Sequence, residues 1–163
     1  MAATSLFVME NKVFSAYLFY CALILLKLLI MSPITITYRM LTNSFMNIED
    51  TRAPVLGTRD PDKQKRALVP NESVNRVRRA HQNDIECIVP FTILGMLYVA
   101  IKPDFATAEF VFKVFAGARI AHTPIYILGV PQPARFVAFL VGFAVNMYMA
   151  MQVIMASKPE LFH

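Results

Sequence analysis

Two segments of the chain place charged and hydrogen-bonding side chains at helical spacing. The first holds Arg76, Arg79, Asn83 and Glu86, and the second holds Arg119, His122 and Tyr126. Steps of three and four residues align each set along one face of a helix. Arg39 and Arg135 stand at the ends of two further apolar stretches. Arginine stays charged and donates paired hydrogen bonds from a planar fork, so it suits carboxylates. Arg39, Arg76, Arg79, Arg119 and Arg135 outnumber the nearby acids Asp84 and Glu86. Pairing inside the protein, of Arg79 with Glu86 and of Arg119 with a neighbouring helix, accounts for part of this set. The surplus fits a bound, water-soluble anion, and Glu86 suits an amine on the same ligand. A zwitterion with more than one carboxylate is the chemistry these residues describe.

Such a site needs helices to hold it, and the composition says in which solvent. The chain has 163 residues, 56% hydrophobic and 17% charged, with a mean hydropathy of +0.49. A soluble domain is about 45–50% apolar and about 25% charged. The 13 Phe and 6 Tyr exclude a disordered chain, and two Cys exclude a disulfide scaffold. Val13–Met31 runs 19 residues with the single charge Lys27, against the roughly 20 residues a membrane crossing needs. No small-residue cleavage site follows it, so it reads as an uncleaved helix. Spans are predicted over 12–41, 74–101, 106–130 and 133–156, with a polar loop at 42–73. The fold class is therefore all-α, an integral membrane four-helix bundle forming a single domain over 1–163. The third span is the least apolar, since it carries Glu109, Lys113, Arg119, His122 and Pro124. Glu109 and Lys113 have the spacing of a helical ion pair. Lys27, in mid-span, either snorkels to the interface or hydrogen-bonds between helices.

Ten of the sixteen Lys and Arg fall on the side of the long loop: Arg39, Arg52, Arg59, Lys63, Lys65, Arg66, Arg76, Arg78, Arg79 and Arg135. Lys12, Lys102 and Lys158 fall on the other side. Excess Lys and Arg mark the cytosolic face, so the loop is expected there. This bias absorbs most of the basic residues and leaves no call for nucleic acid. Five Gly form no phosphate-cradling loop, and no G-x-S-x-G occurs. His81, His122 and His163 are too scattered for a metal site, so none is expected. Cys21, Cys87 and the Met147–Met155 cluster read as packing residues.

The stretches VNRVRRAHQNDIECIVPF (74–91) and FAGARIAHTPIYILGVPQPAR (115–135) closely resemble the microsomal glutathione transferases. These belong to the MAPEG group, membrane-associated proteins in eicosanoid and glutathione metabolism. FMNIED (45–50) is similar to that family's F-A-N-P-E-D, with Ile48 where Pro is usual. The resemblance covers nearly the whole chain. Its GARIAHT and PQPAR segments point to the detoxifying branch rather than the prostaglandin E synthase branch.

The resemblance implies a homotrimer that holds glutathione between subunits near the cytosolic face. Glutathione carries two carboxylates, an ammonium and a thiol, matching the anion inferred above. By motif, Arg39, Arg79, Asn83, Glu86, His122 and Tyr126 bind the tripeptide, Arg76 and Arg119 fix charge around it, and Arg135 faces the thiolate. Phe136 and Phe139 replace the Ser and Tyr of the prostaglandin branch, and Gln82 replaces a basic residue. The expected activity is conjugation of glutathione to lipophilic electrophiles, with reduction of lipid hydroperoxides beside it. The expected location is the endoplasmic reticulum membrane, with the mitochondrial outer membrane as the alternative. A non-catalytic, lipid-binding membrane scaffold of the same fold is the rival reading.

Overall fold

The computed structural model describes residues 6–52 and 57–158; His163 lies outside them. Among the described residues there are five α-helices and no strand. They are α1 (Lys12–Thr42), α2 (Pro61–Ala67), α3 (Glu72–Ala100), α4 (Phe105–Ile127) and α5 (Ala134–Ser157). Local capping sets most of the boundaries. Asn11, Asn71 and Asp104 each accept a backbone N–H from the first turn of α1, α3 and α4, replacing bonds that a helix start cannot make internally. The N–H and hydroxyl of Thr107 hold the Asp104 carboxyl below the usual carboxylate range. α1 ends where Asn43 turns left-handed at φ 47°. α4 ends at Ile127 because Gly129 takes φ +71°, three residues short of the predicted 130. The polar loop holds the short helix α2, which starts with Asp60 as cap and Pro61 in the first turn.

The four long helices pack as a bundle. α1 and α5 each pack against both α3 and α4 but not against each other. α1, α3 and α5 are long and apolar enough to cross a membrane; α4, with its polar residues, falls short of that hydropathy. The outer surface supports this solvent: Leu26, Leu29, Ile93, Phe110, Phe136 and Ile154 are all exposed. So much outward apolar surface would be a liability in water. Glu109 and Lys113 form no ion pair with each other.

The interior away from the cationic end is aromatic. Phe91 of α3 stacks on Phe115 of α4 at 4.0 Å, and Phe112 meets Phe91 and Tyr17 edge-on. Tyr17 of α1 also donates its hydroxyl to the Thr92 carbonyl at 2.7 Å. One edge of its ring packs against Gly95, where an added Cβ would come within 2.6 Å of Cε2. A tyrosine ring held on three sides cannot yield, so Gly95→Ala forces overpacking worth about 1–3 kcal/mol. Thermal unfolding in detergent should show a clear fall in midpoint for Gly95→Ala. No such fall is expected for Gly117→Ala, where an added methyl meets nothing within 4 Å.

Candidate functional site

The two polar stripes meet inside the bundle, around one carboxylate. Asp84 of α3 is fully buried, with Lys27 of α1 on its Oδ2 and Arg119 of α4 on its Oδ1 at 2.8 Å. Thr123 donates its hydroxyl to the same group at 3.4 Å. Arg119 is itself 0% exposed. Its Nη2 also reaches Asn83 Oδ1 at 2.9 Å and His122 Nδ1 at 3.0 Å. A guanidinium can only donate, so in a hydrogen bond of this pair Nδ1 of His122 is the acceptor. Gly142 of α5 makes room for this arginine, since a Cβ there would lie 3.2 Å from Arg119 Cδ. Arg119 Nε and Nη1, on the other side of the guanidinium, have no hydrogen-bond partner.

A second group forms at the end of the bundle shared by the α3 and α5 starts and the α1 and α4 ends. Here Tyr126 is central. Its ring lies 5.4 Å from that of His122, and the Arg135 guanidinium of α5 stands over it at 5.1 Å. Its hydroxyl lies beside Arg79 of α3. Tyr126 and Tyr38 rest on an apolar cluster of Met31, Val77 and Ala80. The Arg76 guanidinium packs directly against Gly129, across the C-terminal end of α4. That end carries partial negative charge, which suits a cation.

The predicted residues therefore divide by environment. Arg76, Arg135, His122 and Tyr126 gather at the bundle end, with Arg39 half-buried in the last turn of α1. Asn83 and Arg119 are turned to the interior. Arg79 and Glu86 are on the exposed outer face of α3. Arg79 pairs with Glu72 at 2.5 Å rather than with Glu86, and Glu86 accepts from Gln82 at 3.3 Å. A cleft of about 590 Å³ opens on this face, lined in part by Thr35, Arg78, Arg79, His81 and Gln82. Among the described residues Arg39, Arg76 and Arg135 make no ion pair. A cationic surplus thus survives the internal pairing. On its other side, an apolar groove of about 750 Å³ runs between α4 and α5, past Gly117, Ala121, Ile125, Ala134 and Val137. Lys27 and Asp84 were the partners that spacing alone did not join; a lysine in mid-span was itself the signal that a buried acid had to face it.

An all-helical protein built for a membrane, with arginines at one end that make no ion pair among the described residues and an apolar groove between α4 and α5, is the class so defined. The chain belongs to the MAPEG family, whose profile matches residues 17–155. It is 42% identical to microsomal glutathione S-transferase 1 of Homo sapiens over 155 residues, 95% of this chain and 96% of that one. The same protein of Sus scrofa is 42% identical over 146 residues, 90% and 92% of the two chains. Prostaglandin E synthase of Homo sapiens is 32% identical over 164 residues, 99% of this chain and 100% of that one.

The buried cluster makes an ordered prediction. Asp84→Asn strands Lys27 and Arg119 without their shared carboxylate and should cost about 3–5 kcal/mol. Lys27→Met leaves the Asp84–Arg119 pair neutral and should cost much less. Thermal unfolding of both variants in detergent checks the order; equal losses would contradict it.

Proposed function

We propose that this protein is a membrane-bound glutathione transferase that conjugates glutathione to lipophilic electrophiles and reduces lipid hydroperoxides. The observation that carries the reading is Arg135. Among the described residues it is half-buried, forms no ion pair and leaves Nε without a partner, and it follows Ala134, a residue that lines the apolar groove. The higher identity to the transferases than to the synthases, together with Phe136 and Phe139, supports the detoxifying branch.

In this reading Arg39, Arg76 and Arg79 meet the two carboxylates of glutathione, and Glu86 meets its ammonium. Asn83, His122 and Tyr126 line the tripeptide, while Arg119 acts from inside by holding Asn83 and His122. Arg79 and Glu86 would form a polar patch on a membrane helix, which is costly against lipid. A second copy of the chain would cover it, which supports glutathione lying between subunits of a homotrimer. α4 would cross the membrane with its three neighbours. Its 23 residues reach about 34 Å at about 1.5 Å per residue, against a hydrocarbon core of about 30 Å. The basic bias places the site toward the cytosol, and the microsomal relatives favour the endoplasmic reticulum membrane.

The chemistry follows from charge. An unperturbed thiol has a pKa of about 8.5 and is only a few per cent ionised at neutral pH. Lowering it by about two units needs about 2.7 kcal/mol of preferential stabilisation of the thiolate. One partly desolvated guanidinium supplies energy of that order. The proton leaves to solvent, and the thiolate attacks the electrophile, forming a C–S bond as the leaving group departs. With a hydroperoxide, the thiolate attacks the O–O bond and releases the alcohol and a sulfenic acid. A second glutathione then gives the disulfide and water.

Arg135→Ala should largely abolish conjugation while glutathione still binds. The measurements are ultraviolet thiolate absorbance and conjugation rate on the solubilised full chain. Unchanged turnover would overturn the assignment. A wild-type protein that shows no thiolate signal with glutathione would favour the lipid-binding scaffold instead.

A further inference from the structure

We infer that Tyr126 is the positioning residue for Arg135, acting through its ring face rather than through its hydroxyl; this rests on the transferase reading above. Three observations lead there. Arg135 lacks the anchor that half-buried arginines usually have: among the described residues no carboxylate pairs with it, and its Nε has no partner. What it does have is the Tyr126 ring, 5.1 Å from its central carbon. The ring is itself fixed from behind. His122 stands against it at 5.4 Å, is locked by its bond to Arg119, and Arg119 is tied to Asp84. From the other side, the ring sits on the apolar cluster of Met31, Val77 and Ala80.

The physical consequence separates a ring from a carboxylate. A carboxylate would orient Arg135 and cancel its charge at once, leaving little for an arriving anion. An aromatic face attracts a guanidinium through its quadrupole and adds no net charge. Arg135 is thereby aimed while keeping its full charge for the thiolate. The hydroxyl, which lies beside Arg79, is not needed for this.

The test compares Tyr126→Leu with Tyr126→Phe in the detergent-solubilised full chain, using glutathione and an activated aryl chloride as the electrophile. The leucine variant should lower kcat about tenfold, beyond any rise in KM for glutathione from the lost contact, and move the pH profile of kcat/KM for the aryl chloride, at saturating glutathione, about one unit alkaline. The phenylalanine variant should recover most of kcat and restore the profile. Tyr126→Met, which fills the space without a ring, replaces the leucine variant if that one does not fold. Equal loss in the phenylalanine and leucine variants would overturn the inference and assign the role to the hydroxyl. A leucine variant that raises only KM, or changes nothing, would overturn it too. Either result leaves the transferase reading standing, provided the wild type forms thiolate. A wild type that forms none overturns both.

Discussion

The placing of Asp84 between Lys27 and Arg119 is the constraint on which the rest depends. Among the described residues Asp84 is the one fully buried acid, and it joins three helices at a single point. A carboxylate out of water is costly unless charges and hydrogen bonds surround it. α1 and α4 must therefore sit at the depths that bring Lys27 and Arg119 to it. Apolar contacts between helices in lipid are poor at fixing depth, because lipid tails are as apolar as the side chains they would replace. Here the polar cluster, rather than the aromatic core, defines the vertical register of the bundle. Gly142 extends the same constraint to α5, since an added Cβ would lie 3.2 Å from Arg119 Cδ and the buried arginine would have to shift.

From that register follows a division of the arginines into two kinds. Arg119 and Arg79 have carboxylates of their own. The charge of Arg119 is used within the protein, where it holds Asn83 and His122, whereas the Arg79–Glu72 pair is exposed and leaves Arg79 open to a ligand. Arg76 and Arg135 are held by a helix end and by a ring face, neither of which carries a full negative charge. Both devices orient a cation without cancelling it. A cationic site in a membrane protein has to solve that problem, because ordinary counter-ions would occupy the place of the ligand. The buried acid and the unpaired bundle end are thus parts of one arrangement. The acid absorbs charge inside the bundle, and the aromatic and helix-end contacts leave charge uncancelled, which the proposed glutathione site requires.

Much of this was legible in the sequence, and the limits have physical causes. The spacing of residues 76, 79, 83 and 86 gives one helix face, and Arg119, His122 and Tyr126 give another. A face, however, does not say which of its edges turns inward. Asn83 and Arg119 lie inside while Arg79 and Glu86 lie outside, because the stripe straddles the boundary of the bundle. Spacing also made Glu86 the natural partner of Arg79. Glu72, two turns back and near the start of the helix, is the residue a long flexible guanidinium reaches. The Lys27–Asp84 pair joins residues 57 positions apart, and no local pattern encodes so distant a contact. α2 was hidden for a different reason: its seven residues bury only Ala67, so it has no apolar period to read. The early end of α4 was written in Gly129, a residue free to take positive φ.

α4 shows how the same chemistry misleads a reading by hydropathy. A hydropathy scale treats every residue of a helix as if it faced lipid. On α4 two of the residues that lower the average most are ones lipid does not meet: Arg119 and His122 are at most 1% exposed, while Lys113, nearer the other end of the helix, is exposed and Phe110 and Ile120 face outward. Polar groups satisfied inside a bundle cost the membrane little, and they are rare in spans because they usually serve a purpose there. The helix that fails the apolar test is therefore the one that carries Arg119, His122 and Tyr126. It packs against α1, α3 and α5, each apolar enough to cross by itself. Enclosure by three such neighbours removes the part of that cost that Arg119 and His122 contribute. The least apolar of the four long helices is the one that carries Arg119, His122 and Tyr126, and its buried polarity is what the proposed site draws on.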